Sequence, residues 1–503
     1  MFEEKLREYI NASVPIIYIN SHDDNTVEKA VLKATGRRQV WEWNSMYGLV
    51  ERKDLEDKKV SEKKEILDSE KSLEKFMIDG VRNNEFHRKV IIVKDIAAYL
   101  ENSDIVALFK NACLRIEEGL LDTVFIFISS IIKIPKELEK YITILQEEYL
   151  TEDKIKELIL EFVEENSTGT VYDKIIDEMS VAFKGLSVLE IETILALAFS
   201  KNGELTEEAM DLIIEQKQQI IQKSGILEMI PIKESMEDIG GLNALKTWIR
   251  KKAKVLNNMK EAERFGVELP KGVLIAGVPG CGKSLNAKAS AKLFNVPLLK
   301  LDMGRLLGKY VGESESNMRQ AIALAEAISP CVLWIDELEK AFSGIGESGE
   351  GAEVTTRLFG QFLTWMQDKE SAVFVVATAN DVMKLPPELM RKGRFDEIFY
   401  VQLPDDSERE KIFEIHIRKR RLMDLEKIKI NKLVEKTDGY SGADIEGVVK
   451  EAIENAFVKG KTEVSTDDFI EAINSTHSLK EIMGDSISKL EKEYKDRKFK
   501  SAS

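Results

Sequence analysis

The apolar positions of the chain fall into two successive rounds of one pattern: short uninterrupted runs separated by stretches of helical spacing, then a segment that is helical throughout. The second round is the clearer. GVLIAG (272–277), VPLLKLD (296–302), CVLWIDE (331–337) and AVFVVATAN (372–380) have the length and continuity of strands buried on both faces. Between them LNAKASAKLF, SNMRQAIALAEAI and TRLFGQFLTWMQ repeat apolar residues every three or four. Strand and helix in alternation predict a parallel sheet covered on both sides, since parallel strands need crossovers that lay helices on the faces.

In the first round VPIIYIN (14–20), QVWEW (39–43), KVIIVKD (89–95) and TVFIFIS (123–129) are the strand candidates. A charged run over 51–75 interrupts them and reads as a solvated helix or inserted segment, with partner binding as the alternative. Each round closes in helices, over 152–224 and 406–476, whose three-and-four spacing suits small amphipathic bundles. The remaining tail, 479–503, is charged and poor in large apolar residues, so a frayed helix or disorder is expected. The predicted organisation is an α/β domain over 1–150, a helical lid-like segment and linker over 151–234, a second α/β domain over 235–404, a helical lid over 405–476 and a charged tail over 477–503.

Composition narrows the class. A chain of 503 residues exceeds what one hydrophobic core supports, and 43% apolar with 32% charged residues describes a folded protein with a charged surface. A net charge of -16 argues against nucleic acid or anionic membrane as the main partner, because both require a basic face. Cys113, Cys281 and Cys331 lie far apart, without the spacing of a zinc site or a redox pair, which fits a reducing compartment. The first residues, MFEEKLREYINASVP, lack a signal-peptide core, and no run of about eighteen apolar residues could span a membrane. A cytoplasmic location is expected, or the plastid stroma if the gene is plastid-encoded.

GVPGCGKS (277–284) satisfies G-x-x-x-x-G-K-[ST] between a predicted strand and a predicted helix. Gly277, Gly280 and Gly282 let the backbone curl so that its N–H groups face phosphates at the positive end of the following helix. The segment Val278, Pro279, Gly280, Cys281, Gly282, Lys283, Ser284 and Leu285 is expected to wrap ATP. Lys283 neutralises the β and γ phosphates and the Ser284 hydroxyl ligates Mg2+. Across the same site, Asp336 can hold the magnesium water shell and Glu337 can polarise the attacking water. Asn380, ending its strand, can hydrogen-bond that water or the γ phosphate; capping the next turn is the alternative. Cys281 sits at the helix N-terminus, where a thiol can be acidified, or it is simply a small residue tolerated in the loop.

EDIGG, GVPGCGKS, GKYVGESE, LWIDE, ATAN, RKGRFD and GYSGADIEGVV follow one another over 235–476, and in this order they resemble the AAA ATPases related to unfolding and disassembly motors. The resemblance implies a five-stranded parallel P-loop sheet with a small helical lid, ATP and Mg2+ as cofactors, and a ring of six subunits acting on a protein partner. It implies that Ile239 and Gly240 contact adenine, with Gly442 and Ala443 closing over it from the lid. Arg391 and Arg394 resemble arginine fingers that reach a neighbouring subunit's site. Tyr310 and Val311 resemble the pore loop that grips a polypeptide, packing in a subunit interface being the alternative for Tyr310; a second acidic loop, 343–351, could face the same pore. No arginine follows in the lid helix to sense the γ phosphate, a trait the family shares.

The first domain departs from the pattern. After VPIIYIN, SHDDNTVEKA offers neither glycine nor a lysine in the required place, and KVIIVKDI sets Asp95 at the magnesium aspartate with Ile96 at the catalytic glutamate. A degenerate AAA-like domain that does not hydrolyse ATP is implied, followed by an active AAA+ module. That pairing, with KSGILEMIP between the halves, is similar to AAA ATPases known from hypothetical chloroplast open reading frames and their bacterial relatives. The leading expectation is ATP-driven remodelling of a protein. The alternatives are a nucleotide-gated switch or adaptor that threads nothing, and, third, a nucleic-acid motor.

Overall fold

Both apolar rounds build the same sheet. In the computed structural model, which describes every residue except 1, 22, 37, 53–64, 69–71, 131, 147–148, 167–172, 203–204, 206–208, 224, 307–312 and 342–349, the chain divides into two compact units. One comprises residues 1–169 and 186–201, the other 170–185 and 202–503. The helical segment 151–234 therefore contributes to both: Glu152–Asn166 lies in the first unit, Asp173–Phe183 and Ala209–Lys223 in the second.

The first unit carries β1 (Ile16–Asn20), β2 (Gln39–Asn44), β3 (Gly48–Arg52), β4 (Glu65–Asp68), β5 (Lys89–Lys94), β6 (Thr123–Ser129) and β7 (Ile142–Gln146) in the order β4-β3-β2-β5-β6-β1-β7. The second carries β8 (Leu227–Ile230), β9 (Gly272–Gly277), β10 (Leu298–Leu301), β11 (Cys331–Ile335), β12 (Val373–Ala379), β13 (Glu397–Val401) and β14 (Lys500–Ser501) in the order β14-β13-β9-β12-β11-β10-β8. Numbering β1, β2, β5, β6 and β7 of the first unit and β9 to β13 of the second along the chain, both sheets run fifth, first, fourth, third, second. The five-stranded parallel sheet is thus the inner part of a larger one. Antiparallel β8 extends it on one side and β14 on the other.

Alternation explains the uninterrupted apolar runs. Along β12, Val373, Val375 and Ala377 enter the core on one face while Phe374 and Val376 enter the core on the other. β6 divides the same way, Phe125 and Phe127 against Val124, Ile126 and Ile128. The lid helices Asp406–Arg421, Ile430–Glu435, Gly442–Val458 and Thr466–Ser475 enclose a core of their own.

Two expectations need correction. Where the charged run 51–75 is described, 51–52 and 65–68 are sheet, β3 ending at Arg52 and pairing antiparallel with β4, and only 73–75 are helix, the start of Leu73–Arg82. Arg52 belongs there because its guanidinium is neutralised by Glu28 and Glu42, all three buried. The C-terminal segment is likewise docked, as helix Leu479–Asp496 followed by β14. Ile487, Leu490 and Tyr494 form an apolar stripe of helical spacing that the surrounding charges conceal in the sequence. Tyr494 stacks on Tyr400 with centroids 3.8 Å apart, and Ala502 exchanges backbone hydrogen bonds with Tyr400 and Leu245. No helix among the described residues is long and apolar enough to cross a membrane.

Candidate nucleotide site

β9 delivers the chain into the glycine loop at Gly277, whose φ of 138° and position against β13 admit no side chain: a Cβ there would lie 2.0 Å from the Val401 carbonyl oxygen. Gly280 (φ 75°) is equally constrained by the lid, a Cβ meeting Ser441 Oγ at 2.9 Å and Ala443 at 3.0 Å. The lid also closes on the loop by a backbone hydrogen bond from Ala443 N–H to the Gly280 carbonyl, 3.0 Å. From the loop starts the helix Lys283–Phe294, its N-terminus aimed into a cavity of about 460 Å³.

Lys283 is buried, and its ammonium donates to the carbonyls of Gly277 and Val278 at 2.8 Å each. Burial draws its pKa down to about 8, opposed by Cys281, Glu339, Asp336 and Glu337. Ser284 Oγ donates to Asp336 Oδ1 at 3.2 Å. Thr378 ties the two acidic residues together: its hydroxyl donates to Asp336 and accepts the Glu337 N–H at 3.1 Å. Glu337 takes a left-handed φ of 52°, an uncommon conformation for a residue other than glycine and one that turns its carboxylate toward Asn380 Nδ2 (3.4 Å) and Lys340 Nζ (2.7 Å). Glu339 in turn accepts the Asn380 N–H at 3.0 Å.

The far end of the cavity is a slot between the segment holding Ile239 and Gly240 and the lid residues Gly442 and Ala443. Glu408, buried, accepts the Leu242 N–H at 3.0 Å and fixes that segment to the lid. His416 lines the slot, and burial lowers its pKa to about 4, so it is an uncharged ring at neutral pH. Glu408, Ile412 and His416 recur every fourth residue on one face of the lid helix, and Thr378 lies two residues before Asn380 on the same strand face. Those spacings are the signals by which these residues were detectable in the sequence.

Pro279, Gly280, Cys281, Gly282, Lys283, Ser284, Leu285, Asp336, Glu337 and Asn380 all line the cavity. Val278 instead turns its side chain into the core. Arg391 is exposed and Arg394 half-buried, donating to the Glu388 carbonyl; neither lines this cavity. Tyr310 and Val311 lie outside the described residues, as do 343–349 of the second loop. Burial pushes the Cys281 thiol up to about 11, the reverse of the acidified, redox-sensitive alternative.

In the first unit the strand corresponding to β11 is offset by one residue from where its sequence suggests. β5 pairs Lys89 with Thr123 as β11 pairs Cys331 with Val373, the first residues of the corresponding strands. Counting forward from Lys89 and Cys331, Lys94 corresponds to Asp336 and Asp95 to Glu337, and Asp95 has the same left-handed φ of 52°. Asp95 therefore corresponds to Glu337 and not to Asp336, the expected magnesium residue, whose place an ammonium takes. Lys94 contacts Glu28 and lies 3.3 Å from Glu42; against the burial that draws it down, these carboxylates hold its pKa above the ordinary value. Where the phosphate loop would precede the helix, Asp23 caps Asp24–Thr35, accepting the Thr26 N–H at 3.2 Å and its hydroxyl at 2.8 Å.

This half carries its own cation and its own anions. Lys94→Met should destabilise the first unit by about 3 kcal/mol, because removing one partner strands buried charge. The double variant Lys94→Met/Glu28→Gln should recover part of the loss in urea unfolding. Equal stability of Lys94→Met and the native chain would show the network to be solvated.

Residues 273–403 match the family model described as ATPase family associated with various cellular activities (AAA), and 427–471 match the AAA+ lid domain. Residues 2–147 match the N-terminal domain, and 153–224 the second domain, of SpoVK-like AAA ATPases. The AAA domain-containing protein ycf46 of Guillardia theta is 35% identical over 475 residues, 94% of this chain and 90% of the relative. That of Trieres chinensis is 34% identical over 494 residues, covering 97% and 96%. A cell division cycle protein 48 homolog of Archaeoglobus fulgidus is 38% identical over 222 residues, 43% of this chain and 30% of its own. Since the ycf46 alignments run through the degenerate first domain as well as the nucleotide-site domain, the chain belongs to the ycf46 family of AAA domain-containing proteins and is an AAA ATPase.

Proposed function

We propose that this ATPase is a ring-forming motor, with six subunits the expected number, that spends Mg·ATP hydrolysis on remodelling a protein partner. One observation carries the reading. Lys283, Ser284, Asp336, Glu337 and Asn380 converge on one cavity, while the arginines that would complete it, Arg391 and Arg394, stand outside that cavity on the same chain. A site so divided requires a neighbour.

Ser284 and Asp336 offer hard oxygen donors 3.2 Å apart beside the helix N-terminus, the chemistry that a magnesium ion retaining some of its water accepts. When bound, the ion would neutralise charge between the β and γ phosphates. Lys283 exchanges its two loop carbonyls for phosphate oxygens. Glu337 orients the attacking water and takes up its proton, and Asn380 holds Glu337 and the water in register. Ile239, Gly240, Gly442, Ala443 and the neutral His416 enclose the adenine. Arg391 of a neighbouring subunit supplies positive charge to the γ phosphate as it departs.

Remodelling as the outcome is supported by the names of relatives that align with the second unit, among them a proteasome-activating nucleotidase of Thermococcus kodakarensis, 34% identical over 246 residues, and an FTSH metalloprotease of Arabidopsis thaliana, 34% over 241. The Tyr310→Ala variant tests it. Remodelling of the partner captured by an ATP-trapped Glu337→Gln chain should be lost while basal ATP turnover persists. Full remodelling by Tyr310→Ala would leave a nucleotide-gated switch as the better description.

A further inference from the structure

The first unit has a second rim, opposite the degenerate site. β2, β5 and β6 are neighbours that start in register, Gln39 beside Lys89 beside Thr123. The residues immediately before them, Arg38, Arg88 and Asp122, therefore stand side by side along the N-terminal edge of the sheet. Arg7 and Lys33 approach from two helices, and together these side chains line a cleft of about 720 Å³. Four cations face one carboxylate in a chain whose net charge is -16.

Part of this charge has a local explanation. Arg7 donates to the Lys33 carbonyl at 3.2 Å, and a cation at the end of helix Asp24–Thr35 suits its negative pole. Lys33 lies 3.8 Å from Glu3. Arg38 and Arg88 are not accounted for in this way. Arg38 spends Nη2 on Asp122 at 3.1 Å, but its Nη1 is buried without a hydrogen-bond partner among the described residues, an omission that costs free energy unless an acceptor arrives. Arg88 is presented by a left-handed backbone, φ 59°, that its N–H stabilises by donating to the Asp122 carbonyl at 2.6 Å.

We propose that this cleft is an anion site for a small ligand bearing phosphate groups, held by the Arg38 Nη1 and the Arg88 guanidinium with Lys33 as a point charge. Planar guanidinium forks match phosphate oxygens, and four cations against the one lining carboxylate, with Glu3 near Lys33 alone, leave the cleft net positive. The cleft volume is that of a small-molecule site rather than of an extended track for a polymer. The site is separate from the ATP cavity and independent of the motor reading.

Inorganic pyrophosphate is the probe, titrated calorimetrically at low salt into the full chain carrying Lys283→Ala, which weakens the ATP cavity. One saturable site is expected, weakened about tenfold or more by Arg88→Gln, the loss of a charge-assisted hydrogen bond. Arg38→Gln should act similarly; because Arg88 is exposed, its variant carries the test should Arg38→Gln misfold. In the otherwise native chain, Arg88→Gln should leave ATP turnover unchanged. Absence of saturable binding, or binding indifferent to Arg88→Gln, overturns the proposal. So would single-stranded RNA or a phosphopeptide binding tighter than pyrophosphate through the same arginines.

Discussion

Glu337→Gln should retain ATP and lose turnover by about 10²–10⁴-fold, the range for removal of a positioned general base. The substitution is nearly isosteric, so a defect would report chemistry rather than shape. Asn380 Nδ2 and the main-chain bond from Glu337 N–H to Thr378 remain available, and the left-handed backbone at this position is set by Thr378 and not by the carboxylate. The ion pair to Lys340, 2.7 Å away and largely exposed, contributes little to folding, so the variant should unfold at nearly the native temperature. Phosphate release measures the loss, and retention of radiolabelled nucleotide on the filter measures the binding. Turnover within about threefold of native would mean that another group accepts the proton, Glu339 on the same turn being one candidate, its second oxygen buried without a partner among the described residues.

The site was legible in the sequence to the extent that its geometry is local. In GVPGCGKS the backbone does the binding, so the identities of a few neighbouring residues dictate the conformation, and Gly277 and Gly280 sit where β13 and the lid forbid a side chain. Glu408 and His416 enter from a helix more than a hundred residues away, and only the three-dimensional closure of the lid explains why one fixes the Leu242 amide and the other faces the slot. In the degenerate domain the error came from register. KVIIVKD and CVLWIDE both end in an acidic residue, but β5 aligns so that Lys94, not Asp95, corresponds to Asp336. A one-residue slip moves every side chain to the opposite face, and pairing partners across the sheet settle it where apolar patterning cannot. The docked C-terminal helix was obscured for a related reason: its apolar stripe is two buried residues and one partly buried, and a count of charges does not reveal their spacing.

Arg391→Ala should reduce turnover by about 10³–10⁵-fold, the range for loss of an arginine finger, while nucleotide affinity of the isolated chain stays within about threefold of native. The two arginines of RKGRFD divide their work. Arg394 is half-buried and committed to the Glu388 carbonyl, so its removal should also loosen the short helix Pro387–Met390 that leads into the turn. Arg391 is exposed and, among the described residues, engaged only through its backbone N–H, which donates to the Glu388 carbonyl at 3.2 Å, so removing its side chain should carry little folding cost. Complementation separates action in trans from action in cis. A Glu337→Gln chain still carries Arg391, and an Arg391→Ala chain still carries Glu337. Where the two sit next to each other in one assembly, the second chain's cavity is completed by the first chain's arginine, so mixing two inactive variants should restore a measurable fraction of turnover. If the arginine acted within its own chain, no mixture could contain a complete site and activity would stay at the level of the separate variants. Restoration that grows with total protein concentration would tie hydrolysis to assembly, because on the proposed reading a complete site forms only between subunits.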